Sequence, residues 1–347
     1  MKKLILLLLA CSFAFCSCED LLSNLLGDKI ELEENVDNGD GSGVTDNGGD
    51  NSAAELSVTE FKSEQEMETA VKDIYASLYE YMRLQKAIEK SIIVDKDFGS
   101  VTSTNPDYEQ TWNAAYKTID KGNLYIRSLE RAFESYDQQI VEKYLASCHI
   151  LVGFTYKNLF EHWGNVPIIT SETPIDAMLM TSPEDEVLQY AIELLERSHF
   201  VFEQGNHSES SYISYEASLL ASAEVYGYRD YNKGLEFSKR VVEQNSEKEI
   251  IYELTGHSDN IVIYTSGHAE LYCSEFSYIL GRMEESGITD FNELLKKWNP
   301  ESYGYWSMLK RNKRFTEQVG CPEYMQNLPV PQNILNNNPG VMQNPGY

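Results

Sequence analysis

One stretch, residues 140–170, constrains the fold more than any other part of the chain. Its apolar residues recur at steps of three and four, which predicts a helix with one apolar face. These residues are Ile140, Tyr144, Leu145, Cys148, Leu151, Val152, Thr155 and Leu159. The pattern ends at Gly164, which can adopt the left-handed conformation that stops a helix, and Pro167 cannot rejoin one. Ile168 and Ile169 then continue as an extended segment. We expect the rest of the chain to pack around this helix.

Apolar periodicity predicts two helices before this one. The first begins near Glu64. Its inward face carries Met67, Val71, Ile74, Leu78 and Met82. A polar loop over Asp95–Thr111, which contains Gly99 and Pro106, should separate it from the second helix. The second helix should direct seven side chains inward: Trp112, Ala115, Tyr116, Ile119, Ile126, Leu129 and Phe133.

A fourth helix should begin after a loop over residues 171–182. Ser182 suits the N-cap position, Pro183 suits the first helical position, and two acidic residues follow them. The apolar face of this helix carries Val187, Leu188, Ala191, Leu194 and Leu195.

Two helical hairpins are predicted further along the chain. Tyr215–Asn245 forms the first, with small residues at the spacing of a tetratricopeptide repeat, where they let two helices approach closely. These small residues are Gly234, Ser238 and Val241. Ala269–Met283 and Asp290–Trp298 suggest the second hairpin. Hairpins of this kind stack because none buries its apolar face alone.

The region between these hairpins differs in composition. Residues 249–252 and 261–264 are rich in β-branched and aromatic side chains, which predicts short strands or extended loops. After the last hairpin, Ser302–Lys310 should form a short helix that carries Tyr303, Tyr305 and Trp306.

The C-terminal part of the chain combines a basic run with a proline-rich tail. We interpret Lys310–Arg314 as a solvated helix end, where cations also suit the helix dipole. The prolines and glycines of residues 328–331 and 338–347 exclude regular structure. We therefore expect the tail to run extended across the surface of the domain.

The first 17 residues form a targeting segment: two lysines precede an apolar run that is too short to span a bilayer. The following Phe-Cys-Ser-Cys at residues 15–18 resembles a bacterial lipobox, which predicts acylation at Cys18. Cys16 is the competing choice, but bulky Phe15 would then precede the cut. The alternative is an ordinary secretory signal. Acylation would anchor the protein to a membrane without a spanning helix.

The next segment, residues 18–57, is rich in Asp and Gly and is predicted to be a flexible tether. It lacks the alternating ligands and the closing Glu of a calcium-binding EF-hand, so we disfavour a calcium site. The folded domain should then cover residues 58–347. The formal net charge of −27 argues against nucleic acid as a partner, because phosphate binding needs a basic face.

Four segments in order resemble the SusD/RagB family of outer-membrane nutrient-binding lipoproteins. They are the closing residues Pro329–Pro339 with Gln343–Tyr347, Phe160–Thr170 with its Trp-Gly-Asn-Val-Pro sequence, Trp112–Tyr116 with Asn123, and Glu301–Arg311. The resemblance implies an all-α fold in which tetratricopeptide-like hairpins form a right-handed superhelical scaffold with irregular loops.

The same resemblance implies a function. Such a protein is a surface-exposed lipoprotein of the outer membrane that covers a TonB-dependent, SusC-like transporter. It binds oligosaccharides or other nutrients and hands them over without covalent chemistry. The chain is short for the family and its long tether is unusual, so the ligand-bearing insertions should be reduced.

Sugar binding would use aromatic faces beside carboxylates and amides, so candidate ligand residues lie where the chain is irregular and aromatic. They are Asp97, Phe98, Asn105, Tyr108, Tyr252, Tyr264, Tyr303 and Tyr305. The alternative for each aromatic ring is packing in the core. Trp112 and Trp163 lie on predicted core faces and are assigned to structure.

No catalytic, metal or nucleotide-binding motif is present in the sequence, so we expect neither enzymatic activity nor a cofactor. The abundant carboxylates do not by themselves indicate a glycosidase. The odd number of mature cysteines, Cys148, Cys273 and Cys321, allows at most one disulfide, and Cys148 should be a core residue. The main functional alternative is a tetratricopeptide module that binds a protein partner and no glycan.

Overall fold

The computed structural model describes residues 58–347, except for residues 175, 204–214, 231, 235, 238–239, 241–260, 265–269, 274–299 and 301–304. The predicted signal and tether, residues 1–57, lie outside this part of the chain. The helices are α1 (Glu64–Ile93), α2 (Pro106–Ala132), α3 (Gln138–His162), α4 (Glu184–Glu203), α5 (Tyr215–Arg229), α6 (Tyr305–Arg311), α7 (Phe315–Val319) and α8 (Gln332–Asn337). The strands are β1 (Val166–Pro167), β2 (Thr181–Ser182), β3 (Ile261–Tyr264) and β4 (Glu270–Cys273). The predicted all-α fold is confirmed.

Each long helix packs against the next along the chain, from α1 to α5, and α3 and α4 share the most extensive contact. The apolar faces predicted for α1 and α4 are buried as expected. Beyond α5, residues 232–234, 236–237 and 240 are helical, in agreement with the predicted hairpin. Gly234 permits the close approach predicted there, because an added Cβ would lie 2.9 Å from the carbonyl oxygen of Ala223.

Helix α3 is the centre of the scaffold. Its sequence predicts one apolar face, but every residue from Ala146 to His162 is buried, so the helix is enclosed on all sides. Gly122 of α2 allows this close packing, because a Cβ added there would lie 2.1 Å from Val152 Cγ2. Cys148 is a buried free thiol, as expected of a core residue.

The end of α3 follows the predicted geometry. Gly164 has a φ of 70°, and the chain leaves in β1, which pairs antiparallel with β2. The hydroxyl of Tyr116 donates to the carbonyl oxygen of Pro167 (2.8 Å), and the amide of Asn123 donates to that of Ile169 (2.8 Å). The hydroxyl of Tyr156 also donates to Ile169 O (3.0 Å). Side chains of α2 and α3 therefore hold the exit segment in place.

Two predicted helix boundaries were wrong at their N-terminal ends. Helix α2 begins at Pro106, inside the predicted loop, because proline suits the first helical turn and Asn105 caps it. The Asn105 side chain accepts the N–H of Asp107 (3.0 Å). Ser182 lies in β2 and does not cap α4; the side-chain oxygen of Asn165 accepts the N–H of Glu184 instead (2.9 Å).

Two further assignments were also wrong. Phe133 was predicted to point inward, but it lies at the C-cap of α2 and is 38% exposed. The predicted helix Ala269–Met283 contains strand β4, which pairs antiparallel with β3. The run Glu270–Cys273 is too short for periodicity to separate a strand from a helix, and it is extended because it pairs with β3. The predicted strand 249–252 and helix 290–298 lie outside the described residues.

Residues 305–347, the C-terminal segment, cover the C-terminal end of α3. A helix leaves its last carbonyl groups without partners inside the helix. The ammonium group of Lys310 donates to the carbonyl oxygens of Phe160 and Glu161 (both 3.0 Å), and Trp306 Nε1 donates to Glu161 O (3.0 Å). The prediction of a solvated basic run is therefore wrong for Lys310. It is also wrong for Arg311, whose guanidinium lies 4.7 Å from the centre of the Tyr228 ring.

The tail completes this cover. The N–H of Leu328 donates to the carbonyl oxygen of His162 (2.6 Å), and the amide of Asn344 donates to that of Trp163 (2.7 Å). Leu328, Val330 and Val341 are buried, so the tail is not confined to the surface as predicted. It is a structural part of the core.

Candidate functional site

The loop between α1 and α2, residues 94–105, holds the first of the predicted ligand residues. Lys96 has a left-handed backbone (φ 57°), and its ammonium group donates to the carbonyl oxygen of Val319 (2.9 Å). The N–H of Gln332 donates to Ser103 O (2.8 Å). The loop is thus attached to the C-terminal segment at two points.

The four candidates in and after this loop differ in exposure. Asp97 is exposed, and Phe98 is half-buried against the core. Asn105 is engaged with the backbone: besides capping α2, its amide donates to Ser100 O (3.0 Å). Tyr108 is only 2% exposed, and burial raises its pKa to about 12. Its ring has no open face for a ligand, so Asp97 and Phe98 are the candidates that remain accessible.

The other four predicted ligand residues lie later in the chain. Tyr305 is buried in α6. Tyr264 lies on β3, of which only the backbone is described, and Tyr252 and Tyr303 lie outside the described residues. Of these four side chains, only that of Tyr305 is described, and it presents no exposed ring. The predicted structural roles of Trp112 and Trp163 are confirmed, because both indoles are buried and meet edge to face at 5.7 Å.

Two tyrosines of the C-terminal segment, Tyr324 and Tyr347, were not among the predicted ligand residues. Tyr324, in a short 3-10 helix over Glu323–Gln326, is 37% exposed. Its ring is perpendicular to that of Tyr347, with centroids 4.9 Å apart. Burial, and then the neighbouring phenols of Tyr108 and Tyr324, raise the pKa of Tyr347 above its usual value. The rings of Tyr324 and Tyr347 therefore pack against each other.

We group Asp97, Phe98, Tyr324 and Tyr347 as a candidate ligand surface, the tyrosine surface, because the loop that carries the first two is hydrogen-bonded on either side of Tyr324, at Val319 and Gln332. It combines an exposed carboxylate, an exposed phenol ring and two half-buried aromatic rings. Such a set can stack on an apolar ring face and accept hydrogen bonds from hydroxyl groups. The only sequence signal for Tyr347 was its place in the closing motif, and Tyr324 lies in a stretch without periodicity.

A second polar cluster lies inside the scaffold, where Lys157, Glu161 and Glu224 are completely buried. Lys157 Nζ lies 2.9 Å from Glu161 Oε2 and also pairs with Glu224. Ser307 and Tyr228 donate to Glu161 (2.6 and 3.1 Å). Burial opposes ionisation of Glu161, but the charge of Lys157 and the hydrogen bond from Ser307 help to lower its pKa. Since solvent does not reach these groups, we assign them to structure and not to catalysis.

No group of three or more His, Cys, Asp or Glu residues within the described part of the chain is arranged to hold a metal ion. None of the helices in the described ranges is both long and apolar enough to cross a membrane.

Comparison with known proteins identifies similar sequences and folds. Residues 44–199 match the SusD-like family model described as "Starch-binding associating with outer membrane". No curated protein sequence matches the chain significantly.

Solved structures share the fold at low identity. A laminarin-binding SusD-like protein is 12% identical with a TM-score of 0.60; the match covers 83% of this chain and 100% of that protein. A SusD superfamily protein from Bacteroides vulgatus is 11% identical, with a TM-score of 0.61 and the same coverage. One from Bacteroides thetaiotaomicron is 12% identical with a TM-score of 0.58, covering 82% and 99%. These similarities establish a shared fold over most of the chain.

Proposed function

We propose that the chain is a non-catalytic member of the SusD/RagB family, which the match of residues 44–199 supports, and that it binds oligosaccharides at the tyrosine surface. The observation that carries this proposal is the exposed ring of Tyr324, which lies in the segment between Val319 and Gln332, the two residues to which the loop of Asp97 is attached. The family model is described as starch-binding, and one structural relative binds laminarin, which supports a carbohydrate as the ligand.

The chemistry of the tyrosine surface suits a sugar ring. A pyranose has an apolar face of C–H groups that can stack on a phenol ring, and its hydroxyl groups can donate to the carboxylate of Asp97. The surface is open, so stacking and exposed hydrogen bonds must offset the ordering of the ligand. Affinity for free oligosaccharide is accordingly expected to be modest. The exposed aromatic ring favours this function over a protein-binding tetratricopeptide module, for which a smooth concave groove would be expected.

Affinity electrophoresis tests the proposal at the level of the wild-type protein. Gels containing starch, laminarin or another glycan of a panel should retard the protein relative to gels without polysaccharide. Retardation by none of the glycans would reject carbohydrate binding and favour the protein-binding alternative. Release of reducing sugar by the purified protein would overturn the proposal that it is not an enzyme.

The cellular part of the proposal is a lipoprotein anchored in the outer membrane through Cys18, exposed at the cell surface and working with a TonB-dependent transporter. Support comes from the lipobox-like residues 15–18 and from the outer-membrane association in the description of the family model. The transporter would receive the bound oligosaccharide.

Replacement of Cys18 tests the anchor. The Cys18→Ala variant should move from the membrane fraction to the soluble fraction, because one acylated residue would carry the attachment. Cys16→Ala, a matched change two residues earlier, should stay with the membrane. Unchanged membrane retention of Cys18→Ala would reject acylation at this residue.

A further inference from the structure

The ring of Tyr324 is held by contacts outside its own short helix. Glu323–Gln326 is a single 3-10 turn, and such a turn has poorer hydrogen-bond geometry than an α-helix. The ring of Tyr347 stands perpendicular to that of Tyr324, an arrangement that aromatic pairs prefer. Tyr347 therefore packs against the ring of Tyr324, the most exposed ring of the tyrosine surface.

Hydrogen bonds connect Tyr347 to the core of the scaffold. The hydroxyl of Tyr347 donates to the carbonyl oxygen of Asn327 (2.9 Å). The side-chain oxygen of Asn327 accepts a hydrogen bond from Lys310 Nζ (2.5 Å), the same ammonium group that binds the last carbonyl groups of α3. A chain of hydrogen bonds therefore links Tyr347 to the end of the central helix.

Gly346 determines how closely the tail approaches Tyr324. Its φ of 101° is in the region that favours glycine. A Cβ added to it would lie 2.5 Å from Tyr324 Cγ and 2.7 Å from its Cβ. Any larger residue would strain the backbone and displace the tyrosine ring or the tail.

We propose that Gly346 and Tyr347 are positioning residues that fix the ring of Tyr324 in the orientation needed to stack on a sugar. This inference rests on the proposed function, and it adds a role for the closing residues of the chain. A ring held in advance does not have to be ordered when ligand binds, so its positioning should raise affinity without a direct contact to the ligand.

The test compares Gly346→Ala with Gly320→Ala. Gly320 also has a left-handed backbone (φ 81°), but a Cβ added there meets nothing within 4 Å. Both substitutions place an alanine at a positive φ, but only the Cβ of Gly346→Ala would meet Tyr324. Measured by affinity electrophoresis in laminarin and starch, Gly346→Ala should bind about tenfold more weakly than the wild type, and Gly320→Ala should bind like the wild type.

Tyr347 supplies a second pair of variants in case Gly346→Ala does not fold. Tyr347→Ala removes the perpendicular ring and should weaken binding about as much as Gly346→Ala. Tyr347→Phe keeps the ring and loses only the hydrogen bond to Asn327, so it should bind within about threefold of the wild type.

The outcomes separate this inference from the proposed function. If no glycan of the panel, laminarin and starch included, retards the wild type, or if Tyr324→Ala binds as well as the wild type, the tyrosine surface is not the binding site and both proposals fall. If Tyr324→Ala loses binding but Gly346→Ala and Tyr347→Ala keep it, the positioning role alone is wrong. It is also wrong if Gly320→Ala weakens binding as much as Gly346→Ala.

Discussion

At the scale of single residues, the contacts around the end of α3 explain why Trp163 follows the helix. Its indole is fully buried and meets the rings of Trp112 (5.7 Å) and Tyr81 (6.5 Å). Aromatic side chains from three parts of the chain fill this site. Core packing therefore explains the presence of a tryptophan here without a role in ligand binding.

Replacement of Trp163 should therefore affect stability and not ligand specificity. Trp163→Ala should lower the free energy of unfolding by about 3–5 kcal/mol, because it removes a large buried ring and leaves a cavity. Chemical denaturation measures the change. Phe200→Ala is the control, since that ring is 63% exposed and its loss should cost less than about 0.5 kcal/mol. A stable Trp163→Ala protein that no longer binds glycan would place this residue in the ligand site.

Glu89 gives stability a dependence on pH. It is 3% exposed, with Oε1 2.8 Å from His162 Nε2 and Oε2 3.3 Å from Lys86 Nζ. Burial opposes ionisation of Glu89, but the charge of Lys86 and the hydrogen bond to His162 outweigh it and lower the pKa from 4.5 to about 2. Between pH 4.5 and about 2, the Glu89 carboxylate therefore binds a proton more tightly in the unfolded chain than in the folded one.

The contribution of Glu89 should be fully present above pH 4.5 and lost as the pH falls towards 2. Its size is about 3 kcal/mol, from about 1.4 kcal/mol per pKa unit. Urea unfolding of the wild type and Glu89→Gln at several pH values measures it. The difference in unfolding free energy between the two proteins should be largest near neutral pH and vanish near pH 2. A difference that is independent of pH would contradict the assignment.

At the scale of elements, the end of α3 is completed by side chains that are far away in sequence. Lys310 places a positive charge at the negative end of the helix dipole and donates to two of its last carbonyl oxygens. The sequence predicted where this helix stops but not which residues cover its end. The residues at a helix terminus do not indicate which distant side chains will contact it.

Lys310→Met tests this cap. Removal of the ammonium group takes a positive charge from the end of α3 and breaks its hydrogen bonds to Phe160 O, Glu161 O and Asn327 Oδ1, which should cost about 1–3 kcal/mol of unfolding free energy. Lys117→Met changes an exposed lysine on α2 and should cost less than about 0.5 kcal/mol. Equal stability of the two variants, measured by thermal unfolding, would show that Lys310 is not needed as a cap.

The errors in the predicted elements have local causes. Apolar periodicity located α1, α2, α3 and α4, because long amphipathic or buried helices repeat the same signal many times. It failed at the start of α2, where Pro106 was interpreted as a loop residue although proline also suits the first helical turn. It failed at β4, where four apolar and polar residues are too few to separate a strand from a helix.

At the scale of the whole molecule, the four segments that resemble the family meet at the end of α3. Tyr116 and Asn123 hold the exit segment, Trp163 fills the core, Lys310 caps the helix, and Asn344 binds the carbonyl oxygen of Trp163. These motifs are architectural. They predict the scaffold well, and they contain little information about the ligand.

The candidate site was less predictable for a physical reason. Asp97 and Phe98 were identified because they lie in a polar loop with an aromatic residue. Tyr324 was not identified, because its place in the fold depends on contacts between distant segments. One of these is the hydrogen bond of Lys96 with Val319, 223 residues apart. The residues of a surface that is assembled from distant segments have no characteristic spacing in the sequence, so the sequence pattern does not predict the surface.

Calorimetric titration of two aromatic variants tests the central proposal, that carbohydrate binds at the tyrosine surface, most directly. Tyr324→Ala removes the exposed ring of this surface, and Phe200→Ala removes an exposed ring on α4 that is not part of it. With the oligosaccharide that the wild type binds best, Tyr324→Ala should lose about tenfold or more in affinity and Phe200→Ala should bind like the wild type. Unchanged binding by Tyr324→Ala would contradict the assignment of the site.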